Sequence, residues 1–476
     1  MELLIGDGAA RGYDGKALPS PALHPVVASG SRAHPRGGRL CLLAFLLIGL
    51  WLGLVAGARA AMWTVNPGDD VQQLLELARP GDRVRFRPGH YPVHLRIDRP
   101  LVLEGEPGAV LDGGGKGRVI VIDAPSVVVR GLEIRRSGTG LTAMDAGIFV
   151  TAKGRDVRIE NNRLDAVLFG FWLDGSKGAV IRGNRVHGLP ALRSQDRGNG
   201  IHLHNTSGTL VADNVVWETR DGIYIETSND NTLRDNDLHD LRYGIHYMFS
   251  NRNEVVGNRT RRTRTGYALM QSSHLVIRDN RSTDDANYGI LMNYINYSII
   301  AGNVIVGVHA GRGRSTGGMV VAGAEGRGLF IYNSQLNEIH DNVIAGCDIG
   351  IFLTAGSEDN RFRDNSIIDN RLQVKYVSTR KQEWSYGRRG NYWSDYLGWD
   401  LDGDGIGDRP YLPYDGVDLL LWRYPQARWL LYSPVIEVLH WVQRLFPLLR
   451  PPGVQDTYPL MKPANDKAIP WIQRSS

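Results

Sequence analysis

Five side chains able to hold a soft metal ion, His202, His204, His246, Met248 and Met270, recur at even offsets from glycines in this 476-residue chain. Counting from Gly200, Gly222, Gly244, Gly266 and Gly289, the second positions read His202, Tyr224, His246, Ala268 and Leu291. The fourth read His204, Glu226, Met248, Met270 and Asn293, and the first and third are mostly apolar. Alternate residues of a strand face opposite sides, so both even files point outward together. Neutral imidazole and thioether suit a soft or borderline ion, above all Cu(I), whereas hard ions prefer carboxylates. The same five residues also fit a protein-contact surface, where Met is common. Asp221, Glu226 and His246 offer an acid/base group. The outward positions hold no closely paired carboxylates such as glycoside hydrolysis uses, and no file of aromatic sugar platforms.

A second group of ligand type lies further on. Asp400, Asp402, Asp404 and Asp408 take positions 1, 3, 5 and 9 of a stretch with Gly405 at position 6, as in the first part of a calcium loop. Position 12 is Tyr411 rather than Glu, which argues against an EF-hand and leaves a shorter Ca²⁺ loop or an ion-free Asp/Gly turn.

The element that must position the first group is a repeat. From Arg155 onward the Asn phase runs Asn162, Asn184, Asn214, Asn236, Asn258, Asn280, Asn303, Asn342 and Asn365, with a basic step of 22 and two longer gaps that read as insertions. The Gly phase keeps the same step and continues to Gly328 and Gly350. A period in the low twenties admits leucine-rich repeats or parallel β-helices. No L-x-x-L-x-L consensus is present, and the units are short alternating runs such as Gly222–Glu226 with no helical periodicity between them. An all-β, right-handed parallel β-helix with about three short strands per coil is expected. Stacked Asn would form one corner, tolerating a left-handed turn, and Gly would permit a sharp bend at the next. A short amphipathic helix over Val71–Ala78, capped by Asp69 or Asp70, would cover the open N-terminal end of the core.

The predicted organisation is a signal segment over 1–60, an N-terminal cap and first coils over 61–154, and the regular solenoid over 155–378. An Asp/Gly-rich region spans 379–417 and an apolar, aromatic tail 418–476. Arg32, Arg36 and Arg39 precede an apolar run from Leu40 to Ala56 and then Ala58-Arg59-Ala60, the parts of a Sec-type secretory signal cleaved after Ala60. An uncleaved anchor is the competing reading, at the lower edge of a membrane span. Beyond residue 60 the chain carries 49 basic and 47 acidic side chains, which gives no electrostatic case for nucleic acid. Two cysteines exclude a disulfide framework and a thiolate zinc cage, and Cys347 is expected to be buried. In the tail, Trp422, Trp429, Trp441, Leu445 and Phe446 would dock on a membrane surface or a membrane partner, or the tail would cap the solenoid.

The repeat, followed by the tract Gly390-Asn391-Tyr392-Trp393-Ser394-Asp395-Tyr396 and then Asp400–Tyr411, resembles the NosD family. That resemblance covers nearly the whole mature chain and implies a periplasmic, non-enzymatic part in assembling the copper centres of nitrous oxide reductase. The implied partners are an ABC transporter with the ATPase NosF and the permease NosY, the copper lipoprotein NosL as donor, and the reductase as client. No family motif assigns copper ligands, so the His/Met face rests on register alone. The Gly-rich insertion between Val306 and Arg327, with Met319, suits a hand-over loop. The alternative from a different class is a secreted polysaccharide lyase or epimerase on the same scaffold.

Overall fold

The computed structural model describes residues 60–311, 325–413 apart from 355 and 379, and 453–465, with isolated positions 434, 438, 467 and 470. The predicted signal segment up to residue 59, Met319, and the tail residues Trp422, Trp429, Trp441, Leu445 and Phe446 lie outside the described residues. From Ala60 on, the chain winds into three parallel sheets of 13, 12 and 13 strands, each coil adding one strand to each sheet. This is the expected right-handed parallel β-helix. One continuous apolar core runs along its axis, filled by inward residues such as Ile201, Ile223, Ile225, Ile245 and Leu269, all fully buried.

Asn side chains form the expected ladder. Asn236 donates both its backbone N–H and its Nδ2 to Asn258 Oδ1 (3.1 and 2.8 Å), and Asn258 repeats this to Asn280 Oδ1 (2.9 and 3.1 Å). Each Nδ2 also reaches a carbonyl of a preceding coil, as Asn258 does to Leu233 (2.9 Å). The ladder satisfies backbone groups that the corner would otherwise leave unpaired in the interior. The left-handed residue is not the ladder Asn, as expected above, but the one before it: Asp213, Asp235, Gly257, Asp279 and Gly302 all have φ between 56° and 68°. The ladder amide must face inward to stack, so the turn falls on its neighbour. Two further ladders were not anticipated. Thr209, Asn231 and Asn253 link backbone N–H to amide oxygen at another corner, and Thr206, Ser228, Ser250 and Ser272 link N–H to hydroxyl.

Gly222, Gly244, Gly266 and Gly289 also recur in register, for a different reason than the expected bend. None has positive φ. A Cβ at any of them would lie 2.6–2.7 Å from the carbonyl oxygen of the next glycine in the file. These glycines allow consecutive coils to approach.

Both ends are closed. The helix Val71–Leu77 is capped by the Asp70 carboxylate, which accepts from Gln73 N–H at 3.0 Å, and it buries Val71 and Leu75 on the core. At the other end Phe362, Trp384, Trp393 and Tyr411 stack in succession, with ring centroids 4.0, 6.2 and 4.5 Å apart. Residues 453–465 return to this end: Val454–Gln455 pair with Gln382–Glu383. Asp456 terminates the Asn ladder, accepting from Asn391 N–H (2.7 Å) and Trp393 Nε1–H (2.9 Å). The described end of the tail therefore caps the solenoid. Cys347 is buried as expected, and burial pushes its thiol up to about 12, which makes it a poor nucleophile.

Asp285 is a fully buried carboxyl held by Ser282, Thr263 and Thr260, and burial outweighs these bonds to push its pKa up to about 6. A carboxyl raised above its unfolded value binds its proton more tightly when native. Its contribution to stability is complete below the unfolded value near 3.8 and is lost as pH rises through about 6. Urea unfolding of Asp285→Asn should therefore show the variant gaining on the parent by about 2–3 kcal/mol between pH 4 and pH 7.5. A constant difference across that range would mean that Asp285 titrates normally.

Candidate functional site

The 12-stranded sheet carries the predicted face. Its strands Phe169–Asp174, Ile201–His204, Asp221–Glu226, Tyr243–Met248, Thr265–Ser273 and Tyr288–Asn296 lie side by side. The pairing matches the register read from the sequence. His202 is beside Tyr224 and Tyr224 beside His246; His204 is beside Glu226, Glu226 beside Met248, and Met248 beside Met270. The five predicted ligands thus fall into two sets. His246, Met248 and Met270 are neighbours along or across adjacent strands. Tyr224 and Glu226 stand one coil away and separate this set from His202 and His204.

Two of the histidines are oriented by carboxylates. His246 Nδ1 is 3.0 Å from Asp221 Oδ2, and His204 Nδ1 is 2.8 Å from Asp174 Oδ1. An ionised carboxylate only accepts, so Nδ1–H donates in both and the Nε2 lone pair is left for a ligand. Asp221 is itself anchored: Arg242 grips it through Nε (2.8 Å) and Nη2 (2.6 Å). Burial raises the pKa of Asp221, but the bonds from His246 and Arg242 outweigh it and keep the carboxyl below its ordinary value. Carboxylate-oriented imidazoles beside thioethers are a donor set that fits Cu(I) as a cargo.

His202 behaves differently. It is 5% exposed and sandwiched against the Trp172 ring at 3.8 Å, with Tyr224 edge-on at 4.7 Å. Burial, together with the positive fields of His204 and His246, pushes its pKa down to about 3, so the ring is neutral. It lines a pocket of about 290 Å³ with Trp172, Asn199, Arg220, Tyr224 and Arg242. Trp172 and Asp174 escaped the sequence reading because the insertion before Gly200 breaks the repeat. They are the second and fourth residues after Gly170, one coil earlier in the same files. Arg220 and Arg242 also form a file, each two residues before its glycine, and that spacing could have revealed them. Of the proposed acid/base group, Asp221 and His246 are in contact, while Glu226 lies 3.9 Å from His202.

The carboxylates of Asp400, Asp402 and Asp404 bring oxygens within 4.8 Å of one another. The same oxygens accept backbone N–H bonds. Asp400 takes those of Gly403 (2.7 Å) and Gly405 (2.9 Å), Asp404 that of Ile406 (2.8 Å), and Asp408 that of Leu401 (2.8 Å). These bonds shape the turn by the ordinary Asp/Gly mechanism. Among the described residues no helix is long and apolar enough to cross a membrane.

Fold and face together define a parallel β-helix that presents oriented imidazoles and thioethers on one flat sheet. Residues 187–398, which include the five predicted ligands, match the family model described as periplasmic copper-binding protein (NosD). A Pseudomonas aeruginosa protein named probable ABC transporter binding protein NosD is 56% identical over 91% of this chain and 96% of its own. Its namesake from Stutzerimonas stutzeri is 55% identical over 82% of this chain and 88% of its own. The chain belongs to the NosD family. Among solved structures, the A-module of the mannuronan C-5 epimerase AlgE6 from Azotobacter vinelandii superposes with a TM-score of 0.50 at 16% identity, covering 68% of this chain and 93% of that one. That likeness is one of fold.

Proposed function

We propose that this protein is a periplasmic, non-catalytic accessory that holds Cu(I) in transit while an ABC transporter drives the loading of nitrous oxide reductase. The observation that carries the reading is the contiguous set His246, Met248 and Met270, with His246 oriented by Asp221, inside the family-matched segment. His204, oriented by Asp174, supplies a second docking point on the same file. The names of the relatives, which call them transporter binding proteins, support the transporter. The ATPase NosF, the permease NosY, the donor NosL and the reductase as client come from the family resemblance. Trp422, Trp429, Trp441, Leu445 and Phe446 are proposed to meet the permease.

The test is an anaerobic Cu(I) titration against a competing chelator. A variant with His246, Met248 and Met270 all changed to Ala should lose more than the roughly 10–100-fold in affinity that loss of an outer-sphere partner costs, and Asp221→Asn should lose about that much. Equal affinity in parent and triple variant would remove the face from the argument. Gene deletion supplies the cellular arm, since fully copper-loaded reductase in the deletion strain would sink the maturation role.

The Asp221–His246 contact favours one second reading, a polysaccharide lyase or epimerase using that pair for proton transfer. Burial, reinforced by the charges of Glu226 and Asp221, pushes the neighbouring Tyr224 phenol up to about 12, which keeps it protonated near neutral pH and so withholds it as a general base. Formation of unsaturated product from alginate or pectin would support this reading.

A further inference from the structure

Four residues that line the 290 Å³ pocket at the edge of the proposed copper face each carry a buried polar atom with no hydrogen-bond partner: Trp172 Nε1, Arg220 Nε, His202 Nε2 and Asn199 Oδ1. Buried polar groups are almost always paired, and an unpaired one costs the whole of its desolvation. Four around one cavity mark a place where something else supplies the partners. Two of the atoms, on Trp172 and Arg220, can only donate. Arg220 forms no ion pair among the described residues, unlike Arg242, which is tied to Asp221, and Arg197, whose guanidinium is spent on the carbonyls of Leu192, Pro190 and Glu218. The cavity therefore offers one free guanidinium and one indole N–H to an acceptor that bears negative charge.

The remaining two atoms ask for something different. Asn199 Oδ1 can only accept, and because the amide of Asn199 donates to His202 Nδ1, the proton of that ring sits on Nε2, which donates. Asn199 Nδ2 already contacts His202 Nδ1 at 3.2 Å, which joins the two residues into one polar unit. A hydroxyl on the ligand would satisfy this unit. The opposite wall is apolar, formed by Leu141, Phe169 and the Trp172 ring, with Phe169 edge-on to Trp172 at 4.8 Å.

We infer that this pocket is a binding site for a small hydroxylated carboxylate, its carboxylate on Arg220 and Trp172 and its hydroxyl on the Asn199–His202 unit. A sugar acid and a short 2-hydroxy acid share that chemistry. The site is separate from the proposed copper set of His246, Met248 and Met270, although His246 borders both.

Isothermal titration of the purified chain with glucuronate, lactate, acetate and inorganic phosphate tests the assignment and separates the two sources. Glucuronate or lactate should bind, acetate about tenfold more weakly for want of the hydroxyl, and phosphate more weakly still. Arg220→Gln should weaken binding by at least about tenfold, and Trp172→Phe, which keeps an aromatic ring but removes the N–H, by several-fold. A thermal melt of each variant separates lost binding from lost fold, and Arg220→Lys should recover part of the affinity if charge is what the ligand reads. Heat from none of the four probes at tens of millimolar would overturn the site. So would binding that Arg220→Gln and Trp172→Phe leave unchanged, or phosphate binding as tightly as the hydroxy acids.

Discussion

Replacing Asn258 by Ala should lower the unfolding free energy by about 3–5 kcal/mol, read as an earlier urea midpoint in circular dichroism. The substitution removes one side chain but strands several partners. Asn236 loses the acceptor of both its backbone N–H and its Nδ2, and the Leu233 carbonyl and Asn280 Oδ1 lose a donor. All of these lie in the interior, where each unpaired group costs about 1–3 kcal/mol before relaxation. Asn258 sits in mid-ladder, so neither terminal cap can take up the slack. A loss below about 1 kcal/mol would mean that water enters the corner and that the ladder contributes little. Because each coil touches only its neighbours, a mid-ladder break should also reduce cooperativity, seen as a shallower transition.

The second large effect is expected at Gly244. A Cβ there would stand 2.6 Å from the carbonyl oxygen of Gly266 and closer still to Thr260 Cγ2. Backbone cannot yield as a flexible side chain can, so Gly244→Ala must push the coils apart, at a cost of about 2–4 kcal/mol. The strand displaced is Tyr243–Met248, which carries His246 and Met248. Stability and Cu(I) affinity should therefore fall together in this variant, whereas His246→Ala should lower affinity alone. Gly346, whose φ is 60° and whose Cβ would meet nothing within 4 Å, is the control: Ala there costs backbone strain without moving a coil. If Gly244→Ala binds Cu(I) as the parent does, the face does not depend on coil spacing.

Much of this molecule was readable because a solenoid turns linear order into spatial order. Once the step of 22 was recognised, Ile223 and Ile225 had to be inside, and Tyr224 and Glu226 outside. The pairing of Met248 with Met270 followed from the same count. What the repeat rule missed lies where the step is interrupted. Trp172 and Asp174 precede a gap of 30, so their place in the files was hidden until the sheet showed them beside His202 and His204. The roles of Asn and Gly also differ from the expected ones: the left-handed turn falls on the residue before the ladder Asn, and the file glycines make room for a neighbouring carbonyl. A residue pattern reports that a position is restricted, not whether φ or a neighbour's carbonyl restricts it.

By itself, then, the order of residues determined the coil, the inward and outward faces and the file in which each candidate ligand stands, because these are set by contacts between near neighbours at a constant step, and it determined the N-terminal cap through a local helix signal. Other properties depend on distances across coils and on burial, which no spacing encodes. Asp221 is locked by Arg242 and so orients His246, and His202 is sunk against Trp172 and so stays neutral. Asp456, 65 residues after Asn391, returns to end the ladder. Those arrangements come from side chains that meet only once the coils have stacked.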